Sequence, residues 1–261
     1  MLAGAGDIAL CGTGGAVQTG DLLDSIEGTV FTAGDNAYPS GRIEDYTACY
    51  NPAWGRHKGR TRPVPGNHEY ESAAGSGGVG YFNYFGELAE PTGQGYYTYM
   101  VGPWKVIALN SEIGVTVNSA QGTFLRNELT TNSPQACTLA IWHRPLYTSG
   151  PNQPQNDMRD FFRLMFDNKG EIVINGHDHM YERFAPQDAD GRLNAASGVR
   201  QFVVGTGGVP LYVFGAARPN SEVRNDKVHG VLKLTLSTNR YLWEFIAVGG
   251  AIMDSGTGTC H

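Results

Sequence analysis

Of the seven histidines in this chain, four stand where a short apolar run gives out. The stretch "RPVPGNHE" delivers Asn67 and His68, "TLAIWH" delivers His143, and "EIVINGHDH" delivers His177 and His179. Two carboxylates arrive in the same way: Asp7 ends "AGAGD", and "TVFTAGDNAY" carries Asp35 with Tyr38 three residues later. Alternate residues of an extended chain point to one side, so His177 and His179 can face a common small volume. Glycine before a ligand lets the backbone turn sharply and approach closely. Two carboxylates, a phenol, an amide oxygen and three or four imidazoles exceed what one tetrahedral zinc takes. The set suits two ions sharing a bridging carboxylate. Oxygen and imidazole donors without thiolate point to iron, zinc or manganese. Two such ions, about 3.5–4 Å apart, can generate a hydroxide nucleophile and stabilise charge on a phosphoryl oxygen.

Each residue alone has a plainer reading. Asp7 and Asp35 follow glycine and can simply shape turns, as can Asn67. Tyr38 can be surface packing, and a single histidine such as His143 is more often a hydrogen-bonded interior residue than a ligand. The ordered recurrence, each donor following an apolar run, favours a metal site over coincidence.

The positioning elements are legible in outline. "TVFTAG", "RPVPG", "KVIALN", "CTLAIW", "EIVING" and "RQFVVG" have strand character. Between them, "GGAVQTGDLLDSI", "SAQGTFLRNEL" and "NDMRDFFRLMFDNKG" have helical spacing; Ala16, Leu22, Leu23 and Ile26 can share a face in the first, and Lys169–Gly170 supplies a stop for the last. "VLKLTLS" and "RYLWEFIAV" alternate around "TN" as an antiparallel hairpin, and "GYYTYM" with "KVIALN" suggests another. Short, nearly all-apolar strands mixed with helices and hairpins predict an α/β fold of mixed sheets covered by helices, in one domain over residues 1–261. In open α/β sheets the crevice at the carboxyl ends of the strands binds ligands, which is where these side chains fall. "ESAAGSGGVGYF" reads as a flexible surface loop.

The net charge of −6 argues against a general nucleic-acid or membrane-surface binder. No apolar stretch is long enough to span a bilayer. The start lacks the basic and apolar regions of a signal peptide, as a mature domain freed of its leader would. Four cysteines without a CxxC pair disfavour a zinc knuckle and permit two disulfides in three connectivities, or four reduced thiols. The pairing favoured is Cys11–Cys49 with Cys137–Cys260, the second tying the tail to a central strand, in an exported protein.

The ordered set "GD…GDNAY…GNHE…WH…GHDH" resembles the metallophosphoesterases with a calcineurin-like fold, and "GDNAY" with "GHDHMYER" makes it most similar to the purple acid phosphatases. The resemblance spans residues 6–183 and implies a double β-sandwich flanked by helices, with the metals at one edge. Carried over residue by residue, it implies one ion held by Asp7, Asp35, Tyr38 and His179, and a second by Asp35, Asn67, His143 and His177, with Asp35 bridging. The phenolate of Tyr38 would favour Fe(III) in the first site, with Zn(II), Fe(II) or Mn(II) in the second. His68 is implied to be no ligand but a catalytic residue, protonating the leaving group or offsetting its charge. The implied reaction is hydrolysis of a small-molecule phosphate ester by metal-activated hydroxide attacking phosphorus in line, with no covalent phosphoenzyme. The family's habit of export agrees with a secreted or periplasmic location.

Departures and rivals bound this reading. The first motif continues as "GDIA", with Ala9 where a glycine is usual, and no extra N-terminal β-domain is expected. Arg144, directly after His143, contacts substrate phosphate or pairs with a carboxylate, the second being favoured. Asp178 orients a ligating histidine or faces solvent, Glu182 and Arg183 read as a structural pair, and His57 reads as part of a solvated basic loop. A phosphodiesterase acting on nucleotides or phospholipid head groups is the nearest alternative, decided by loops such as residues 71–95. A metallo-β-lactamase-like hydrolase would need an acid and a further histidine soon after His179, where Met180, Tyr181 and Glu182 stand instead. A non-catalytic scaffold would predict missing donors, and none of the seven is missing.

Overall fold

The short apolar runs form strands because each is buried on both faces and too brief for a helix. A computed structural model describes residues 1–70, 77–89, 93–131 and 137–261. Strands β1 (Leu2–Ala5), β2 (Thr29–Thr32) and β3 (Thr61–Arg62) run parallel in one sheet. A second sheet takes β4 (Tyr97–Val101), β5 (Trp104–Ala108), β6 (Thr138–Ile141), β7 (Ile172–Asn175), β8 (Tyr181–Phe184), β9 (Arg200–Val204) and β10 (Ser221–Asn225). The chain then returns to the first sheet with β11 (Gly230–Ser237), β12 (Arg240–Ala247) and β13 (Ile252–Thr259). The sheet orders are β13-β12-β11-β1-β2-β3 and β10-β8-β9-β7-β6-β5-β4. The first sheet thus joins a parallel end, β1-β2-β3, to antiparallel β11-β12-β13, and the second has a parallel centre, β5-β6-β7-β9, with antiparallel neighbours on both sides. This is the mixed α/β sandwich with flanking helices expected of a calcineurin-like fold.

Period-two alternation divides the core. Leu139 and Ile141 of β6, with Ile172 and Ile174 of β7, join Leu2, Phe31, Leu232 and Leu234 between the sheets. Ala140, Trp142 and Val173 belong instead to a second cluster with Leu125, Phe161, Phe162 and Met165. Those last four come from the helices Ala120–Thr131 and Arg159–Asp167, which cover the outer face of the second sheet. The second helix stops where expected: Lys169 adopts φ +58° and Gly170 N–H donates to Met165 O at 2.7 Å. In the helix Gly15–Asp24, Ala16 and Leu23 are buried and Leu22 only half-buried.

The disulfides are Cys11–Cys49 and Cys137–Cys260, the favoured pairing. Sequence alternation shows the β11–β12 and β4–β5 hairpins but misses β13, whose "IMDSGTGT" has almost no apolar content. Its glycines fit because an added Cβ at Gly256 or Gly258 would come within 2.3 Å of Trp243 or 2.2 Å of Tyr241, so aromatic rings take the missing side chains' place. The supposed loop "ESAAGSGGVGYF" holds the start of a helix, Val79–Phe85, with Tyr81 buried; its residues 71–76, like 90–92, lie outside the described residues.

Two local readings are corrected. Glu182 and Arg183 do not pair, because neighbours on a strand face opposite sides. Glu182 accepts from Ser149 N, Ser149 Oγ and Ser221 Oγ, whereas Arg183 binds Asp254 and Glu222 and lies 4.9 Å from the Trp243 ring. His57 is buried rather than solvated, with Nε2 3.0 Å from Gly20 O and Nδ1 facing Arg60.

Candidate metal centre

The donors come together because they follow the carboxyl ends of parallel strands from both sheets: Asp7 after β1, Asp35 after β2, Asn67 beyond β3, His143 after β6, and His177 and His179 after β7. Gly6 N–H donates to Val204 O at 2.8 Å and Gly207 N–H to Gly6 O at 2.9 Å, clasping the two sheets along this edge. Three donors sit in left-handed backbone: Asp7 (φ +58°), Asp35 (φ +49°) and His177 (φ +72°). Non-glycine residues hold that conformation only where surroundings over-determine it. Three surrounding glycines are packed against the donors: an added Cβ would lie 2.5 Å from His143 Nδ1 at Gly34, 2.3 Å from Asp35 Oδ1 at Gly66, and 2.6 Å from Asp7 Oδ2 at Gly176.

The donor atoms form two groups. Tyr38 Oη lies 2.9 Å from Asp7 Oδ1, 3.0 Å from Asp35 Oδ2 and 3.2 Å from His179 Nε2, and His179 Nε2 is 3.3 Å from Asp7 Oδ1. In the other group His143 Nε2 lies 3.2 Å from Asp35 Oδ2, 3.1 Å from Asn67 Oδ1 and 3.2 Å from His177 Nδ1. Adjacent ligands about 2.1 Å from a common ion stand roughly 3 Å apart, and every one of these separations agrees. Asp35 Oδ2 belongs to both groups.

Hydrogen bonds at the far side of each ring choose the nitrogen that faces inward. His143 Nδ1–H donates to Ala33 O at 2.8 Å and His179 Nδ1–H to Pro210 O at 3.0 Å, so Nε2 is in each case the nitrogen turned toward the cluster, the one a metal ion would take in place of a proton. His177 enters through Nδ1 instead; its backbone N–H is fixed by Asp7 Oδ2 at 2.8 Å. His68 is set apart. Its Nδ1–H donates to Pro39 O at 2.7 Å, its backbone N–H to Asp35 Oδ1 at 2.8 Å, and its Nε2 stays 3.9 Å from Asp35 Oδ2.

The electrostatics call for cations. Burial and the neighbouring charges of Asp35 and Asp7 raise Tyr38 well above an ordinary phenol, so it ionises only where a strong positive charge replaces its proton. Burial alone would raise Asp35, but the charge and hydrogen bond of His143, with His68, outweigh it and hold the carboxyl far below its usual range. Two imidazole nitrogens 3.2 Å apart cannot both carry protons. Burial and the His143 charge push His177 down to about 2, while Asp35 overcomes burial and lifts His143 to about 10. Burial lowers His179, but its hydrogen bond to Asp7 outweighs that and raises it. The donor set, its spacing and its far-side acceptors therefore fit two metal ions.

Sequence reasoning missed the residues that brace this set. Buried Glu69 accepts from the backbone N–H of Asp35 (3.1 Å), Asn36 (2.8 Å) and Gly66 (2.7 Å) and from Tyr46 Oη (3.1 Å), so one carboxylate folds the Asp35 loop onto the Asn67 turn. Its signal was present as the last letter of "GNHE". The ring of Tyr212 stacks on His179 with centroids 3.9 Å apart and planes at 12°, and Asn152 Nδ2–H donates to His177 O at 2.7 Å. Nothing in the sequence singles out either. Asp178 is fully buried and does not face solvent; among the described residues it bonds no ligating side chain directly but accepts from Thr148 Oγ1 and from Asn152 N, securing the 148–152 turn whose Asn152 holds His177 O. Arg144 is gripped by Glu112 through bonds of 2.9 and 3.0 Å, which favours the structural reading.

A sandwich of two mixed sheets, with oxygen and imidazole donors at the carboxyl ends of its parallel strands, is the architecture of a metal-dependent hydrolase. Residues 3–181 match the calcineurin-like phosphoesterases, and the chain belongs to that family. The family's fold implies a dinuclear metal site, and the donor cluster fits one. No curated protein matches the chain. Among solved structures, the purple acid phosphatase PPD1 from yellow lupin (Lupinus luteus) seeds superposes with a TM-score of 0.81 at 21% identity, over 98% of this chain and 53% of its own. The chain thus spans about half the length of that protein. GAP50, the anchor in the inner membrane complex of Plasmodium, gives a TM-score of 0.77 at 13% identity over 100% of this chain and 88% of its own. PhoD gives 0.62 at 12% identity over 98% of this chain and 68% of its own.

Proposed function

We propose that the chain hydrolyses phosphate monoesters with two metal ions, in the manner of a purple acid phosphatase. One ion is held by Asp7, Asp35, Tyr38 and His179, and the other by Asp35, Asn67, His143 and His177. The carrying observation is that Asp35 Oδ2 stands 3.0 Å from Tyr38 Oη and 3.2 Å from His143 Nε2, so one carboxylate oxygen serves both donor groups. The phenol of Tyr38 makes Fe(III) the fitting occupant of the first site, with Zn(II), Fe(II) or Mn(II) in the second. When bound, the ions supply Lewis acidity and lower the pKa of water. Because Pro39 O takes the Nδ1 proton of His68, Nε2 is the nitrogen left to act, on a side chain 32% exposed beside Asp35. There it can hold a proton for the departing alkoxide oxygen, while Asp35 Oδ1 fixes the residue's backbone. The two disulfides suit an oxidising compartment, and we place the protein outside the cytoplasm, secreted or periplasmic.

Metal content per chain, the visible spectrum, and turnover of p-nitrophenyl phosphate against its bis ester test this together. The expected result is two ions, a tyrosinate-to-iron charge-transfer band lost in Tyr38→Phe, and preference for the monoester. Asp35→Ala and His177→Ala should lose both metal and turnover, whereas His68→Ala should lose turnover with both ions retained. Preference for the bis ester would make the protein a phosphodiesterase. Two zinc ions without colour would remove the ferric assignment, and metal loss in His68→Ala would overturn the division of roles.

A further inference from the structure

Tyr212, which borders the metal cluster without belonging to it, carries a hydroxyl hydrogen that no described residue takes. Its backbone N–H donates to His179 O at 2.9 Å, and its ring lies over the His179 imidazole with centroids 3.9 Å apart and planes at 12°. Pro210 O, two residues earlier, takes the Nδ1 proton of His179 at 3.0 Å, and Val209 N–H donates to Asp7 O at 3.2 Å. The 209–212 segment is thus clamped to two residues of one donor group, and the phenol is held in place. The two rings leave backbones joined by a hydrogen bond and lie face to face. The longer phenol therefore carries its hydroxyl past the imidazole.

The surroundings of that hydroxyl decide what it can do. Asn152 donates through Nδ2 to His177 O at 2.7 Å and, beside it, to the phenol oxygen of Tyr212. The oxygen therefore stands next to His179 of one donor group and His177 of the other. An amide nitrogen can only donate, so the phenol keeps its own hydrogen for another acceptor, and the described residues supply none. The carboxylates of Asp7 and Asp35 are close enough for their charges to act on the phenol, but their oxygens are engaged by Tyr38, His143 and the backbone of His68 and His177. Tyr212 is only half-buried, which leaves it open to a ligand seated over the cluster.

We propose that Tyr212 is a second substrate-contacting residue beside His68, its hydroxyl donating to an oxygen of the phosphoryl group seated on the donor cluster. This rests on the phosphoester reading given above. The two residues divide the work: His68 serves the departing alkoxide oxygen, which free phosphate lacks, whereas Tyr212 serves a charged phosphoryl oxygen, which ester and free phosphate share.

Calorimetric titration of the metal-loaded protein with sodium phosphate, together with kcat/KM on p-nitrophenyl phosphate, tests this through Tyr212→Phe. That variant keeps the stacked ring and the backbone bond to His179 and removes only the hydroxyl. Metal content should equal that of the wild type, while phosphate affinity and kcat/KM should each fall roughly tenfold or more, as loss of a hydrogen bond to a charged group does. Wild-type phosphate affinity in Tyr212→Phe overturns the proposal. So does loss of metal in that variant, which would make the hydroxyl a brace of the cluster and not a substrate contact. Failure of the monoester reading shows differently, as wild-type protein that binds metal and phosphate but does not turn over p-nitrophenyl phosphate; the two phosphate affinities then still decide the role of Tyr212. Metal-loaded wild type that binds no phosphate overturns both.

Discussion

Gly66 isolates the contribution of close packing to the metal centre. Its φ of −126° and ψ of −168° are ordinary extended backbone, so alanine there suffers no dihedral penalty. The added Cβ, however, would stand 2.3 Å from Asp35 Oδ1, 2.5 Å from Asp35 N and 2.8 Å from His143 Cδ2. Ordinary contact begins at 3.4 Å, so Asp35 or the Gly66 turn must retreat by 3.4 − 2.3 = 1.1 Å. Overpacking of this kind costs about 1–3 kcal/mol of stability. A displacement near 1 Å at a reacting geometry costs on the order of a hundredfold in rate. Gly66→Ala should therefore lower kcat/KM on p-nitrophenyl phosphate about a hundredfold and reduce bound metal, with only a modest fall in Tm. Gly59→Ala is the control: no atom lies within 4 Å of its added Cβ. A Gly66→Ala protein with two ions and kcat/KM within about threefold of wild type would refute the argument that glycine is required here for space.

Two further predictions concern stability. Burial raises Glu171 from 4.5 to about 7, and among the described residues its carboxylate meets His261 N and Nδ1, at 2.9 and 2.8 Å. A carboxyl raised on folding contributes stability that is full below its unfolded pKa and is lost as pH rises through the folded value. Relative to wild type, Glu171→Gln should thus gain Tm between about pH 5 and pH 8; a difference independent of pH would contradict it. The Cys137–Cys260 bond closes a separation of 123 residues, for which the chain-entropy account gives roughly 4–5 kcal/mol. Cys137 stands at the opposite end of β6 from His143, so Cys260→Ser should lower the urea midpoint while metal content holds; loss of metal would show that the far edge depends on this bond.

What the sequence reveals follows from locality. Donors after apolar runs are recognisable because a strand and the turn beyond it are contiguous, so Asp7, Asp35, Tyr38, Asn67, His143, His177 and His179 stand out by residue type and position. The bracing roles are harder to read, even for Glu69 in plain view in "GNHE", because the partners they hold are distant in the chain. Tyr212 reaches His179 across 33 positions (212 − 179 = 33), and Glu69 holds Asp35 across 34. β13 escaped for a different reason. Its stability comes from cross-strand pairing with β12 and from aromatic rings lying over glycines, neither of which leaves an apolar alternation. Adjacent charged residues misled in the opposite direction, since "ER" at 182–183 suggests a pair that strand geometry forbids.

The strained donors explain why the bracing matters. A left-handed non-glycine residue costs on the order of 1–3 kcal/mol, and Asp7, Asp35 and His177 each adopt that conformation. Each has its backbone N–H committed: Asp7 to Gly34 O at 3.0 Å, Asp35 to Glu69 at 3.1 Å, and His177 to Asp7 Oδ2 at 2.8 Å. Two of these three bonds run from one donor to another's side chain or to the glycine beside it. The Asp7 carboxylate thus presents Oδ1 to Tyr38 and uses Oδ2 to hold His177 in place. Removing that carboxylate therefore deprives one donor group of an oxygen and releases the backbone of the other. On this geometry the two proposed metal sites would not assemble independently, and loss of Asp7 should empty both.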